Sequence, residues 1–167
     1  MKHLLACLPI SLLLLVPPQA RASEPAGGAA DRAEIQQLIE HFKSAIIAKD
    51  GASLRGMFLP GGSWLQGLDK ASLDLMRTKM ANLKQFSSGT YEGFAEFVSK
   101  APKPIEEVFH NVRIETDGTV GMVYFDYQFL EDNKVQNHGV ETWQLVHTQD
   151  GWKISAMLYS VTMDRMR

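Results

Sequence analysis

Three polar side chains in the C-terminal half of the sequence, His110, Tyr127 and Glu141, have the types and spacing that acid–base chemistry requires. Each stands in a segment where apolar and polar residues alternate, which is typical of a strand with one buried face. If they share that face, a histidine opposite a carboxyl group could exchange protons near neutral pH, because burial and mutual charge shift the pKa values of both groups. His110 and Glu141 are therefore the candidate catalytic pair.

Aromatic residues expected on the same face as these three side chains indicate a place where a ligand could bind. Trp64, Phe125, Tyr127 and Trp143 are the candidate ligand-binding residues, because aromatic walls favour a small apolar or aromatic molecule. A purely structural interpretation stays open beside this one. In that interpretation His110 is a core histidine with satisfied hydrogen bonds, and Glu141 lies at the rim and bonds a backbone group or Tyr124.

Other kinds of site have no support in the sequence. There is no Gly-x-Gly-x-x-Gly, no phosphate loop and no Gly-x-Ser-x-Gly motif. His41, His138 and His147 lack the spacing of metal ligands, so we predict no metal and no cofactor. The basic residues between positions 70 and 84 are interpreted as a solvated face, and no nucleic-acid partner is expected.

The strands that carry the candidate residues are marked by three turn signals. Asp117-Gly118, Asp132-Asn133 and Asp150-Gly151 separate apolar runs from residue 105 onward, which predicts four antiparallel strands joined by three hairpins. The first turn, taken as two residues, places one set of side chains on the concave face: Val108, His110, Val112, Ile114, Val123, Phe125, Tyr127 and Phe129. The third turn adds a second set: Glu141, Trp143, Leu145, His147, Trp152, Ile154, Ala156 and Leu158.

These two sets share one face only if the third of these strands carries an extra residue. A two-residue turn at Asp132-Asn133 would place them on opposite sides of the sheet. A glycine inside a strand is a common position for a bulge. We therefore predict a bulge near Gly139 that bends the sheet into a cup.

Helical patterns precede the strands. Asp31 and Glu34 have capping-box spacing at the start of a run of apolar residues with helical periodicity. The pattern predicts two further helices, at residues 52–59 and 90–99, and a strand around Trp64 at residues 63–67. The pattern of residues 72–86 fits either a helix or an edge strand. Helices followed by an antiparallel meander predict an α+β fold, with the helices packed on one face of a curved sheet.

The first 22 residues have the pattern of an export signal. An apolar run from Leu4 to Val16 follows a short polar start, and Ala20-Arg21-Ala22 supplies the small residues that precede signal-peptide cleavage. This run is too short to span a bilayer as a helix. We expect residues 1–22 to be a signal peptide, 23–30 a flexible linker, 31–162 the folded domain and 163–167 a C-terminal tail. The prediction is a periplasmic or secreted protein without a stable membrane anchor.

Composition limits the class of protein further. The 167 residues include 17 Lys and Arg against 19 Asp and Glu, and 45% are hydrophobic. These values exclude a disordered tail, a collagen-like fibre and a basic nucleic-acid binder. Cleavage before Ser23 would remove the one cysteine, Cys7, so the mature chain would have neither a disulfide nor a cysteine nucleophile.

Two stretches of the sequence resemble a known superfamily. They are AIIAKDGASLRGMFLPGGSW, which follows the start of the first helix, and GVETWQLVHTQDGWKISAMLYS, which covers the last hairpin. Over residues 31–162 the chain resembles the nuclear transport factor 2-like superfamily, which includes the SnoaL-like proteins. The resemblance implies a cone-shaped α+β fold, also called a cystatin-like roll, with a cavity between the helices and the concave sheet. It also implies a frequent homodimer, but no single activity.

The convex face of the predicted sheet also favours a homodimer. It would carry large apolar residues among polar ones, namely Phe109, Met122, Tyr124, Met157 and Tyr159. Two functions fit this arrangement. One is an exported module that binds a small hydrophobic or aromatic molecule in a mostly apolar pocket. The other is a cofactor-free isomerase or dehydratase that uses His110 and Glu141 for proton transfer.

Overall fold

The structure is a computed structural model that describes residues 28–164. The predicted signal peptide, its cleavage site, residues 23–27 of the predicted linker and residues 165–167 lie outside the described residues. Among the residues described, no helix is long and apolar enough to cross a membrane. The predicted export and localisation therefore stay predictions.

Four helices and six strands make an α+β fold, as the sequence predicts. In chain order they are α1 (Ala29–Ile47), α2 (Gly51–Gly56), β1 (Phe58–Leu68), α3 (Lys70–Arg77), β2 (Phe86–Ser88), α4 (Tyr91–Lys100), β3 (Ile105–Thr116), β4 (Val120–Glu131), β5 (Lys134–Thr148) and β6 (Gly151–Met163). The stretch that fitted either a helix or an edge strand, residues 72–86, contains most of α3 and the first residue of β2. Side-chain caps from Asp50, Asp69 and Thr90 begin α2, α3 and α4.

The strands form one curved, open sheet in the order β2-β1-β6-β5-β4-β3. The four-stranded meander predicted from the turn signals is present as β3 to β6. β1 extends it by pairing parallel to β6, and β2 pairs antiparallel to β1. The sheet is therefore mixed, and Trp64 in β1 reaches the same concave face as the meander, opposite Met157.

A bulge in β3 changes which side chains of that strand face inward. Ile114 pairs with Val123, but the register shifts between His110 and Arg113, where Asn111 has a positive φ of 54°. Because side chains alternate along a strand, one extra residue reverses the face of everything beyond it. The predicted inward positions of Val108 and His110 are therefore wrong.

A second bulge, in β6, has the same effect on the last strand. Trp152 and Ile154 face inward as predicted, but the register shifts where Ser155 is inserted, between the Gln144–Ala156 and Leu145–Ile154 pairs. Met157 and Tyr159 face inward in place of the predicted Ala156 and Leu158, and Leu158 is half exposed on the outside.

The bulge predicted in β5 occurs three residues earlier than expected. Phe129 pairs with Asn137 and Leu130 pairs with Val135, so the extra residue is Gln136 rather than a neighbour of Gly139. The turn before it matches the prediction, since Asp132 and Asn133 both have positive φ values and form a two-residue turn. Gly139 has a different role, because its missing side chain lets β6 approach closely.

The core lies between α1 and the concave face of the sheet. Trp143 is fully buried, and its ring lies 4.8 Å from that of Phe42 in α1 and 5.3 Å from that of Phe125. Phe109 stacks on Phe125 with ring centroids 4.0 Å apart. These aromatic contacts hold α1 against the sheet. The part of the concave face that they do not fill lines the cavity described below.

The outer face of the sheet carries a different set of large apolar residues from the one that the sequence predicted. Phe109, Met157 and Tyr159 face inward, because of the bulges in β3 and β6, so their predicted outward positions are wrong. Met122 and Leu158 are exposed on the outer face. No partner chain is described, and the homodimer stays a prediction.

Candidate functional site

A cavity of about 380 Å³ lies between the concave face of the sheet and the helices. Residues from α1, α3, α4 and all six strands line it, and Lys84 and Ser87 are at its exposed edge. The aromatic part of its lining consists of Phe42, Trp64, Phe94, Phe97 and Phe129, together with two tyrosines. The cavity therefore lies on the face where the sequence predicted a pocket.

Two buried carboxyl groups line this cavity. Glu107 of β3 is 7% exposed and Glu141 of β5 is 3% exposed. Trp143 Nε1 donates a hydrogen bond of 2.5 Å to Glu141 Oε1. Glu107 Oε2 has no hydrogen-bond partner among the described residues, although buried carboxyl oxygens normally have one.

Burial changes the protonation of both carboxyl groups. It raises the pKa of Glu141 to about 8, and the hydrogen bond from Trp143 opposes part of that rise. Burial also raises the pKa of Glu107 well above its ordinary value, and the charge of Glu141 raises it further. Glu141 can therefore hold or release a proton near neutral pH, which exposed glutamates do not do.

Two tyrosines stand beside the carboxyl groups, and their hydroxyl groups are engaged with other parts of the protein. Tyr159 Oη donates to Gln66 Oε1 at 2.6 Å and accepts from Trp64 Nε1 at 3.1 Å. Tyr127 Oη lies 2.9 Å from the carbonyl oxygen of Ser160 and 3.1 Å from Asn137 Oδ1. Burial raises the pKa of Tyr159 to about 12 and raises that of Tyr127 as well, so both stay protonated at neutral pH.

The structure brings together only part of the site that the sequence predicted. Trp64, Tyr127 and Glu141 line the cavity. Phe125 and Trp143 are fully buried next to it and are not among its lining residues.

His110 lies outside the cavity, so its predicted place beside Glu141 is wrong. It is exposed on the outer face and pairs with Asp126 across β3 and β4. The bulge at Asn111 and Val112 is the cause, because it reverses the face of every earlier residue of β3.

Sequence reasoning missed two residues of the site, Glu107 and Tyr159. Tyr159 was assigned to the convex face, and Glu107 was not among the residues assigned to the concave face, because the bulges in β6 and β3 were not predicted. One signal for the first bulge is present in the sequence. Asn111 stands in the middle of an alternating strand, and asparagine adopts a positive φ more readily than most residues. Ser155 gives no comparable signal.

Metal binding has no geometric support in the part of the chain that is described. Within residues 28–164, no group of three or more His, Cys, Asp or Glu side chains is arranged to hold a metal ion.

Comparisons with known proteins identify the fold. No protein-family model matches the sequence, and no curated protein matches it. Solved structures do match. A nuclear transport factor 2-like protein with a cystatin-like fold from Novosphingobium aromaticivorans is 11% identical, with a TM-score of 0.58 over 79% of this chain and 82% of that one.

Two further similar structures have names that refer to enzymes. A candidate dehydratase of the nuclear transport factor 2-like family from Streptomyces avermitilis is 16% identical, with a TM-score of 0.59 over 80% of this chain and 97% of that one. A candidate aromatic ring hydroxylase from Novosphingobium aromaticivorans is also 16% identical, with a TM-score of 0.55 over 81% and 92%. The chain therefore has the nuclear transport factor 2-like fold, and this likeness shows the fold alone.

Proposed function

We propose that this protein binds a small organic molecule in the cavity under the curved sheet. The apolar part of the ligand would contact the aromatic lining, and its polar group would reach the buried carboxyl groups. The amino-terminal pattern of the sequence supports a function outside the cytoplasm, after export to the periplasm or secretion.

One observation carries this proposal. Glu107 Oε2 is buried at the wall of the cavity and has no hydrogen-bond partner in the described part of the chain. A buried polar atom without a partner costs free energy, of the order of 1–3 kcal/mol. A ligand with a suitable group would satisfy it, and a volume of about 380 Å³ lies within the usual range for small-molecule pockets.

The fluorescence of a neutral apolar dye tests the binding function. We expect N-phenyl-1-naphthylamine to gain fluorescence with the wild-type protein, because the dye would leave water for an aromatic cavity. Val161→Trp should abolish that gain, since Val161 lines the cavity and the larger side chain would fill it. Leu158→Trp is the matched control, because this neighbouring residue of β6 is on the outer face and is 51% exposed. Equal fluorescence from both variants, or none from the wild type, would argue against the cavity as the binding site.

A second candidate function is acid–base catalysis, and the paired carboxyl groups favour it. Glu141 has a pKa of about 8, so it could donate or accept a proton near neutral pH, and the pKa of the neighbouring Glu107 is raised as well. Glu107 would take the role that the sequence analysis gave to His110. This function would correspond to a cofactor-free isomerase or dehydratase.

Substitutions distinguish catalysis from binding alone. If the protein turns over a substrate, Glu107→Gln should lower kcat about 100-fold, because general acid–base groups contribute at least this much. His110→Ala should leave kcat unchanged, because the imidazole lies on the outside of the sheet. A loss of turnover in His110→Ala with Glu107→Gln unaffected would exclude this assignment of roles.

A further inference from the structure

The polar groups of the cavity differ in whether they are still free to bind. The hydroxyl group of Tyr159 donates to Gln66, and that of Tyr127 is within hydrogen-bonding distance of two protein oxygens. The indole N–H groups of Trp64 and Trp143 donate to Tyr159 and Glu141. Glu107 Oε2 is buried, has no hydrogen-bond partner among the described residues, and is an acceptor when the group is ionised. A ligand that binds the ionised group must therefore supply a donor.

The charges around Glu107 favour a positively charged donor. The titratable groups that face it are Glu141 from β5, Tyr127 from β4 and Tyr159 from β6. Of these, the two tyrosines are neutral at ordinary pH, so a negative charge in the cavity arises only when a glutamate ionises.

No cation compensates that charge in the part of the chain described. Within residues 28–164, no Lys, Arg or His forms an ion pair with either glutamate. Lys84 lines the cavity but is exposed at its edge. A buried carboxylate is stable only with a partner, so a ligand cation would supply what the chain does not.

The aromatic lining fits the same kind of ligand. The ring of Trp64 lies 5.2 Å from that of Phe94 and meets the ring of Tyr159 edge to face at 5.7 Å. Tyr127 and Tyr159 are also edge to face, at 6.1 Å. Faces of aromatic rings attract cations, most strongly when water is excluded. Carboxylates and aromatic rings together form the surroundings that an ammonium group with apolar substituents prefers.

We infer that the ligand is an organic ammonium ion, whose N–H group donates to Glu107 Oε2 and whose apolar substituents contact the aromatic lining. This inference rests on the proposed binding function and names its ligand class. Carboxylates and phosphates are expected to bind more weakly than ammonium ions, because they carry no charge opposite to that of an ionised glutamate and would be repelled by it.

Protonation gives the inference a second, independent consequence. The ammonium ion binds to ionised carboxyl groups, whereas the raised pKa values keep protons on them in the empty cavity. Binding should therefore release protons. Affinity should rise with pH as long as the ligand itself stays protonated, because ionisation of the raised carboxyl groups accompanies binding.

Calorimetry with three probes of nearly the same shape tests this inference. The probes are 2-phenylethylamine, 2-phenylethanol and phenylacetate, each titrated into the wild-type protein at about pH 8. We expect the amine to bind at least about tenfold more tightly than the alcohol, because hydrogen bonds between charged groups are stronger than neutral ones. Phenylacetate should bind most weakly. Titrations in two buffers of different ionisation enthalpy should show proton release with the amine.

Variants locate the effect. Glu107→Gln should remove the preference for the amine over the alcohol, while Glu106→Gln should keep it, since the adjacent carboxyl group faces the other side of β3. Equal affinities of the amine and the alcohol for the wild type, or a preference that survives Glu107→Gln, would overturn the inference. If Glu107→Gln does not fold, absence of proton release in the wild type overturns it instead.

The dye experiment separates this inference from the proposed function. Fluorescence gain with the neutral dye, together with no preference for the amine, would overturn the ammonium inference and leave the binding function intact. If neither the dye nor any of the three probes binds, both the ammonium inference and the proposed binding function are overturned.

Discussion

Raising the pH from about 5 to about 8 is expected to lower the free energy of unfolding of this protein by several kcal/mol. The folded state keeps protons on Glu107 and Glu141, because burial raises the pKa values of both groups. In the unfolded chain the same groups have ordinary pKa values near 4.5 and are ionised over this range. Each unit of difference in pKa corresponds to about 1.4 kcal/mol.

The sign follows from proton counting. Between about pH 4.5 and pH 8 the folded protein binds more protons than the unfolded chain, so each increase in pH favours unfolding. Groups with lowered pKa values, such as Asp50 and Asp117, act in the opposite direction, but only as the pH falls below about 4. The window from pH 5 to 8 therefore isolates the two buried carboxyl groups from these.

Urea denaturation at a series of pH values measures this effect. Glu107→Gln and Glu141→Gln should each flatten the fall in stability, and the double variant should flatten it most. Glu106→Gln should follow the wild-type curve, because this glutamate does not line the cavity. A wild-type stability that is level from pH 5 to 8 would contradict the placement of two protonated carboxyl groups in the folded protein.

Gly139→Ala is expected to destabilise the fold by about 3 kcal/mol or more, at the upper end of the cost of overpacking. A Cβ atom at this position would lie 2.1 Å from the carbonyl oxygen of Ser160. That oxygen belongs to the backbone of β6, so it can move only if the β5–β6 pairing moves. The pairing also sets Glu141 opposite Tyr159, so the cavity would be disturbed with it.

Gly56→Ala is the matched control for this substitution. Gly56 ends α2, and a Cβ atom added there meets no other atom within 4 Å. The free energy of unfolding of the Gly56→Ala variant should differ from that of the wild type by less than about 1 kcal/mol, which is the size of the difference in helix propensity between glycine and alanine. Thermal and urea denaturation of both variants give the comparison. If Gly139→Ala is as stable as the wild type, the close approach of the two strands does not exist.

The sequence was sufficient to predict the general architecture. Turn signals at Asp117, Asp132 and Asp150 located the meander, and hydrophobic periodicity located the helices before it. Trp64 and Tyr127 were assigned to the correct face because the strand segments around them keep regular alternation, and Glu141 because an extra residue was predicted in β5. Periodicity is reliable where a strand is regular.

The rest of the site depends on single inserted residues that alternation does not reveal. The bulge at Asn111 and Val112 turns His110 to the outer face and Glu107 to the concave face. In the same way, the bulge at Ser155 turns Leu158 outward and Tyr159 inward. Each insertion reverses an entire strand segment, so an error of one residue moves a candidate catalytic group to the opposite side of the sheet. Gly139 was interpreted as a bulge, but it is a point of close backbone contact.

The buried carboxyl groups are costly to the fold, and this cost is informative. Replacing a buried acid by an apolar residue is often neutral or stabilising, yet two buried acids line one cavity of this protein. Trp143 donates a hydrogen bond to Glu141, whereas Glu107 Oε2 has no partner among the described residues. Departures from satisfied hydrogen bonding are expected at functional sites. The pair is therefore the feature of this molecule that its function must explain.

Carbon NMR of the glutamate side chains tests this central claim most directly. The carboxyl carbons of Glu107 and Glu141, assigned by comparison with the two glutamine variants, would be followed from about pH 3 to pH 10. Our account predicts that both titrate well above the ordinary value of 4.5, with Glu141 near 8. Titration of both groups below about pH 5.5 would contradict a buried acidic pair at the cavity.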